Sequence, residues 1–226
     1  MRQKPGIPAT GSTERPDNPG KSCVFGPDRP HIFTHYVVGG NVVIPANETT
    51  KQLAIERLQN CAELEIVVPE KIQLFKANSF QVIVKNTGAG HYLPTGLSEA
   101  REMWLHVKVE NSRGVKLFES GAVDSSGAVD PTARIFNIVL ADKEGNHTIN
   151  VALADRIVSD TRIPPKGQAV ETYTLIGSFK TLRGATISAT LKYRSAPQAV
   201  INNLLGASAP VLPIIDMATA TKKIGG

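Results

Sequence analysis

A change in hydrophobic period at Leu64 constrains the fold of this chain more than any other feature of its sequence. From there on, apolar residues recur at every second position around 64–68, 80–85 and 104–109. Because successive side chains of a strand point to opposite faces, this alternation predicts β-strands with one face on a core. Weaker strand patterns follow at 115–120, 133–140, 148–152, 170–177 and 185–193.

The connections between these segments favour antiparallel neighbours. Turn-forming sequences such as 111–114 and 142–145 separate the segments, and no regular helices lie between them. We therefore predict a mostly β fold, an antiparallel immunoglobulin-like β-sandwich with an extended N-terminal arm and two short helices. At 226 residues the chain is long enough to bury a sizeable core.

The sequence divides into four parts. Residues 1–45 form an extended arm, rich in Pro, Gly and polar residues, that ends in a histidine-containing segment. Apolar residues at helical spacing predict a helix within 46–63, at about 49–62, which Thr49 or Thr50 caps. The sandwich occupies 64–195. Residues 196–226 form a second helix and an apolar tail, which we expect to pack on this domain or on a neighbouring chain.

Charge and hydropathy exclude two classes of partner. The net charge of +5 is spread along the chain, and no basic block exceeds the Lys222–Lys223 pair, so a nucleic-acid surface is not expected. No apolar run approaches the roughly 20 residues that span a bilayer. Residues 1–20 lack the apolar region of a signal peptide, so an export signal would have to be removed or lie outside this sequence.

Motifs of catalysis are missing from the sequence. Neither a GxSxG nucleophile motif nor a phosphate-binding glycine loop occurs, and we expect no enzymatic activity. The histidines stand at positions 31, 35, 91, 106 and 147, without an HExxH motif or the Cys–His–Met loop of copper proteins, so no metal site is predicted. We expect His106 to be half-buried and structural, and His147 to lie exposed in a turn.

Two groups of residues leave alternatives open. Cys23 and Cys61 form no CxxC motif; they can pair as a disulfide in an oxidising compartment, or Cys61 can serve as a small buried apolar residue. Asp124, Asp130 and Asp142 lie in loops that can hold calcium through oxygen ligands. The EF-hand spacing is absent, which favours ordinary turn aspartates.

Several stretches in combination resemble a known family. They are HIFTHYVVGGN at 31–41, GHYLPTG at 90–96, REMWLHV at 101–107, ESG at 119–121, DTRIPP at 160–165 and LKYRSAPQ at 191–198. Together they resemble the C-terminal β-sandwich region of exported multihaem c-type cytochromes, over roughly residues 22–218. In that family, CxxCH haem motifs precede the domain.

The chain departs from this family at the haem motif itself. Where family members carry CxxCH, residues 22–25 read Ser-Cys-Val-Phe, so no haem can be attached covalently here. The resemblance implies instead that a histidine of this chain reaches a haem c that a partner holds. His31 or His35 of the HxF segment would be the axial ligand, and His91 of the GHYLPTG loop is the next candidate.

The resemblance thus leads to a functional hypothesis. The chain would be a haemless accessory subunit, periplasmic or extracellular, that associates with a multihaem cytochrome or another redox subunit in electron transfer and caps or ligates a haem of that partner. The alternative is a stand-alone immunoglobulin-like binding or adhesion module. A third hypothesis is a metal-dependent redox enzyme that uses His31, His35 and His91.

Overall fold

The structure is a computed structural model that describes residues 20–21, 23–29, 38–69, 78–175 and 182–224. Within these residues the α-helices are α1 (Glu48–Gln59) and α2 (Gln198–Leu205), and 3₁₀ turns lie at Val151–Leu153 and Gly206–Ser208. The strands are β1 (Gly20–Lys21), β2 (Asp28–Arg29), β3 (Glu63–Val67), β4 (Asn78–Lys85), β5 (Glu102–Glu110), β6 (Lys116–Ser120), β7 (Ile135–Phe136), β8 (Ile138–Ala141), β9 (His147–Thr148), β10 (Arg156–Asp160), β11 (Gln168–Leu175), β12 (Thr186–Arg194) and β13 (Ile215–Lys223).

Two antiparallel sheets form the sandwich. The larger has the strand order β13-β12-β5-β6, with β7 paired to the start of β5, and the smaller has the order β11-β4-β3. Alternate side chains of β4, β5 and β12 are buried and belong to one apolar cluster. Phe118 of β6 meets Tyr173 of β11 with ring centroids 5.7 Å apart, so the two sheets face each other across this cluster. The predicted antiparallel β-sandwich is confirmed.

The central strand β5 is buried on both faces in its first half. Leu105, Val107 and Val109 lie on the core face, as the alternation predicts. Trp104 lies on the opposite face, yet it is 0% exposed. Its Nε1 donates to the carbonyl oxygen of Gly121 at 3.0 Å, in the loop that follows β6. The hydrophobic periodicity of β5 predicted one buried face only. A loop that covers the other face does not change that periodicity, so its effect could not be predicted from the strand.

Besides β1 and β2 in the predicted arm, two strands lie where the sequence pattern predicted none. Residues of the predicted apolar tail form β13, which pairs with β12 and buries Ile215 and Met217. Alanine and threonine occupy most positions between and after these residues, which weakens the alternation that would have indicated a strand. Strand β10 pairs with β8 in a small third sheet of order β10-β8-β9.

The pattern at 148–152 predicted a strand that is realised only at its first residue. Strand β9 ends at Thr148, and a 3₁₀ turn follows. The Asn150 side chain accepts from the backbone N–H of Ala152 at 3.1 Å and so stabilises the turn. A short polar side chain that bonds its own backbone competes with strand pairing, which is the physical reason for the difference.

Helix α1 begins slightly earlier than predicted. Asn47 caps it instead of Thr49 or Thr50, since Asn47 Oδ1 accepts from the Thr50 N–H at 2.8 Å and from the Thr50 hydroxyl at 2.9 Å. The second predicted helix is confirmed as α2. In the predicted arm, β1 pairs with β2, whereas residues 1–19, 22 and 30–37 lie outside the described part. Neither described helix has the length and apolar character needed to cross a membrane.

The loop aspartates act as turn residues. Asp124 Oδ1 accepts from the hydroxyl of Ser126 at 2.7 Å and from the N–H of Ala128 at 2.9 Å. Asp130 and Asp142 accept backbone N–H groups of their own turns in the same way. The Ser126 hydroxyl and the turn N–H groups lower the pKa of Asp124. The interpretation as turn aspartates is confirmed.

His106 is half-buried on the outer face of β5, as predicted. Its Nε2 lies 3.0 Å from Oε1 of Glu119, and Lys116 Nζ lies 2.6 Å from Oε2 of the same carboxylate. Lys116 first, and then His106, lower the pKa of Glu119. His147 is exposed in β9. His106 therefore joins β5 to β6 through a paired carboxylate.

We expect Glu119→Gln to make stability less sensitive to acid. Because the folded-state pKa of Glu119 lies below its unfolded value of about 4.3, its pairing stabilises the fold above that pH and is lost as the pH falls through the folded-state pKa. Thermal unfolding between pH 7 and about pH 2.5 should show the variant less stable than the parent at pH 7 and equal to it in acid. Glu144→Gln, at an exposed turn position, is the control and should show little difference throughout. A deficit in Glu119→Gln that persists unchanged into acid would contradict this assignment.

Candidate functional site

Four of the six stretches that carry the family resemblance meet at one cavity of about 280 Å³. Gly40 of the GGN sequence, His91 and Pro94 of the GHYLPTG loop, Met103 of REMWLHV and Tyr193 of LKYRSAPQ all line it. The last turn of α1 contributes to the same wall. Segments that lie far apart in the sequence are therefore brought together by the fold at a single concave surface.

Asn86 holds the loop that contains His91. It directly follows β4 and is 1% exposed. Its Nδ2 lies 2.8 Å from the carbonyl oxygen of His91, 3.2 Å from that of Ile163 and 3.1 Å from that of Pro164. Its Oδ1 accepts from the N–H of Ala89 at 3.2 Å. Asn86 thus fixes the backbone of His91 from the buried side, a role that no sequence motif indicated.

The 160–165 segment supports the same loop from a second direction. Leu93 and Ile163 exchange two backbone hydrogen bonds of 2.8 Å. The guanidinium of Arg162 lies over the ring of Tyr92, 4.8 Å from its centroid, which is a cation–π contact. Arg162 also pairs with Asp160 at 2.7 Å. The DTRIPP stretch is therefore a structural support of the GHYLPTG loop.

His91 itself is exposed at the cavity. Its Nδ1 lies 2.9 Å from the carbonyl oxygen of Tyr92. Because a carbonyl oxygen only accepts, this bond requires the proton on Nδ1, and in the neutral ring the lone pair is then on Nε2. No described residue bonds to Nε2. Histidines that bind metals commonly have the other ring nitrogen fixed by such a bond, and His91 shares this arrangement.

Of the predicted site residues, only His91 can be located. His31 and His35 lie outside the described residues, although Val38, Gly39 and Gly40 that follow them line the cavity. Among the described residues, no three His, Cys, Asp or Glu side chains lie close enough to hold a metal ion together. A metal that His91 binds would therefore need ligands from elsewhere.

The REMWLHV and LKYRSAPQ stretches are cross-linked beside the cavity. Arg101 Nη1 donates to the carbonyl oxygen of Ser195 at 2.7 Å. Arg194 Nε donates to Oε2 of Glu102 at 2.8 Å, and Nη2 of Arg194 bonds to the same oxygen. Arg194 Nη2 also donates to the carbonyl oxygen of Gly127 at 2.9 Å. These bonds fix β5 against β12 where both strands approach the cavity.

The two cysteines are both free, and they differ in exposure. Cys23 is exposed, whereas Cys61 is buried in the cavity wall just beyond α1. The Cys61 thiol donates to the carbonyl oxygen of Arg57 at 3.0 Å, and burial raises its pKa to about 11. Of the two alternatives left open by the sequence, the structure favours a buried, unreactive Cys61 over a disulfide.

We expect iodoacetamide to label one cysteine of the folded protein. A pKa of about 11 leaves Cys61 about one part in a thousand ionised at pH 8, and burial blocks the reagent as well. Intact-mass spectrometry should count one label in buffer and two in denaturant. In Cys23→Ser the folded protein should take up none. Labelling that appears only after reduction would indicate a disulfide and overturn the assignment.

Comparison with known proteins extends only to the fold. No family model matches the chain, and no curated protein matches it. Among solved structures, the chain is similar to a penta-haem cytochrome c552 from Thermochromatium tepidum, with a TM-score of 0.56 and 21% identity over 75% of this chain. The match covers 41% of that cytochrome. At this identity the likeness shows a common fold.

Two structures of a CARDB domain from Pyrococcus furiosus also match, with TM-scores of 0.31 and 0.29. Their identities to this chain are 14% and 12%, over 72% and 73% of its length and 90% and 94% of theirs. TM-scores this low carry no structural argument.

Proposed function

We propose that this chain is a haemless domain that associates with a multihaem c-type cytochrome in extracytoplasmic electron transfer and presents His91 to a haem of that partner. The observation that carries the proposal is the state of His91, whose Nε2 lone pair is left available at the cavity by the Nδ1 bond to Tyr92. The convergence of four of the six resembling stretches on this cavity supports it. So does the fold shared with part of a penta-haem cytochrome.

The surroundings of His91 suit an axial ligand. An imidazole needs an accessible lone pair and a fixed ring to ligate haem iron. Here the Tyr92 carbonyl holds the ring and Asn86 holds the backbone, so little conformational freedom is lost when Nε2 binds. The haem of the partner, attached through its own CxxCH motif, supplies the redox chemistry. This chain contributes the ligand and shields the haem edge from water.

A haem c peptide with an open sixth coordination position tests the role of His91. Titration of the peptide with the folded chain should give the absorption spectrum of a six-coordinate, low-spin haem. His91→Ala should lose this conversion, whereas His147→Ala, which removes an exposed histidine of β9, should keep it. If His91→Ala binds like the parent and a variant lacking His31 and His35 does not, ligation belongs to the HxF segment. If no variant differs from free imidazole at equal concentration, the chain has no haem site.

Association with a cytochrome is tested separately. The tagged chain should retain a haem protein from the native periplasmic or outer-surface fraction, and the retained fraction should show a Soret band. His91→Ala should change the spectrum of that band more than the amount retained, since one ligand is a small part of a protein interface. A colourless eluate without any cytochrome would favour the stand-alone binding module.

A further inference from the structure

The cavity beside His91 has a one-sided distribution of charge. Arg57 and Arg101 line it together with His91, whereas no aspartate or glutamate of the described residues does. Much of the remaining wall is apolar and includes Leu58 and Met103. Cationic groups set in apolar, weakly polarisable walls produce a positive potential that screening by water weakens little. The cavity therefore favours an anionic group.

Two hydrogen-bond donors of this cavity have no acceptor among the described residues. Arg101 uses Nη1 for the Ser195 carbonyl, and its other N–H groups donate to none of them. The Tyr193 hydroxyl likewise donates to none of the described residues, and Tyr193 is 6% exposed. Both residues line the cavity, and the positive charge of Arg101 partly opposes the rise that burial causes in the pKa of Tyr193. A guanidinium and a hydroxyl in the wall of one cavity can both donate to an acceptor of a bound molecule.

The size of the cavity limits what it can accept. At about 280 Å³ it lies at the small end of ligand-binding sites, so it can take a compact molecule or one edge of a larger one. We propose that it binds a carboxylate carried on an apolar body, with Arg101 and Tyr193 donating to the carboxylate. A guanidinium fork suits a carboxylate in particular, because two parallel N–H groups match its two oxygens.

Such a carboxylate has two possible sources. One is the propionate edge of the haem that His91 faces, and this source rests on the proposed function. The other is a free carboxylic acid of similar chemistry, which does not depend on any haem partner. The two sources share the same recognition by Arg101 and Tyr193, and they are separated by the choice of probe.

Isothermal titration with octanoate, octan-1-ol and octylammonium measures the charge preference of the cavity. Octanoate should bind more tightly than the alcohol, and the ammonium should bind least. Arg101→Gln should weaken the binding of octanoate by roughly tenfold or more, so that octanoate no longer binds more tightly than the alcohol. Tyr193→Phe should weaken the binding of octanoate by roughly threefold. Arg113→Gln removes an equal charge at an exposed turn and should have no effect.

The haem c peptide distinguishes the sources. If haem propionates occupy the cavity, methyl esterification of the peptide should weaken its binding to the parent but not to Arg101→Gln, with His91 ligation retained in both. If esterification changes nothing while octanoate still depends on Arg101, the cavity takes free acids and the haem proposal stands unaffected. The inference is overturned if neither the binding of octanoate nor the effect of the propionates depends on Arg101, whether or not His91 ligates the haem.

Discussion

Replacement of Arg194 by methionine should lower the free energy of unfolding by about 3–5 kcal/mol. Arg194 is 2% exposed and Glu102 is 9% exposed, and the two are joined by two hydrogen bonds across β12 and β5. The variant would leave the Glu102 carboxylate buried without its cation. A buried charge without a partner is far more costly than the pair is favourable, which is why a single substitution should have a large effect.

Urea unfolding of matched variants separates this cost from simple loss of contacts. Arg194→Met combined with Glu102→Leu removes both charges, and it should recover much of the loss because nothing charged then remains buried. Lys192→Met is the control, since Lys192 lies on the same strand and pairs at 2.7 Å with the exposed Asp216. That pair should contribute no more than about 1 kcal/mol. Equal losses of unfolding free energy in Arg194→Met and Lys192→Met would show that burial of the ion pair does not determine the cost of breaking it.

The resembling stretches do two different things in the structure. Arg194, Glu102, Trp104 and Gly121 bond to one another or to the surrounding backbone and stabilise the sandwich. Other residues of the same stretches, such as His91, line the cavity with groups left available. A shared motif is therefore no proof of a shared site. The functional proposal draws on the second group, and the prediction for Arg194 depends on the first.

The strands could be predicted from the sequence because alternation is a local property. Strand β4, most of β12 and the second half of β5 bury every second residue, and their residues alone carry that information. Strand β13 could not be predicted in this way, because small residues contribute little to a hydrophobic pattern. The cap of α1 was misassigned because Asn47, Thr49 and Thr50 are all competent caps, and tertiary packing decides between them.

The candidate site was only partly accessible from sequence. The resemblance singled out His91, yet nothing in the pattern indicated that Asn86 would bond to its carbonyl or that Arg101 and Tyr193 would line the same cavity. The first relation depends on the conformation of the loop after β4, and the second depends on the register of β5 with β12. Register is a property of the assembled sheet, and it becomes visible only in the structure.

Substitution of Gly88 by alanine should destabilise the fold by about 3 kcal/mol or more. The Gly88 N–H donates to the carbonyl oxygen of Cys61 at 3.0 Å, which docks the His91 loop on the end of α1. A Cβ at this position would lie 1.6 Å from the carbonyl oxygen of Asn60, so loop and helix would have to separate. For a chain of this size the melting temperature should fall by roughly 6–12 °C.

Gly90→Ala is the matched control, because it alters the same loop two residues away and a Cβ there would meet nothing within 4 Å. It should leave the melting temperature nearly unchanged.

Comparison of the two variants also tests whether docking on α1 holds His91 in place for ligation. If it does, Gly88→Ala should bind the haem c peptide more weakly at a temperature where it is still folded, and Gly90→Ala should bind it like the parent. Unchanged binding in a folded but destabilised Gly88→Ala would show that Asn86 and the Leu93–Ile163 pairing suffice to position the histidine.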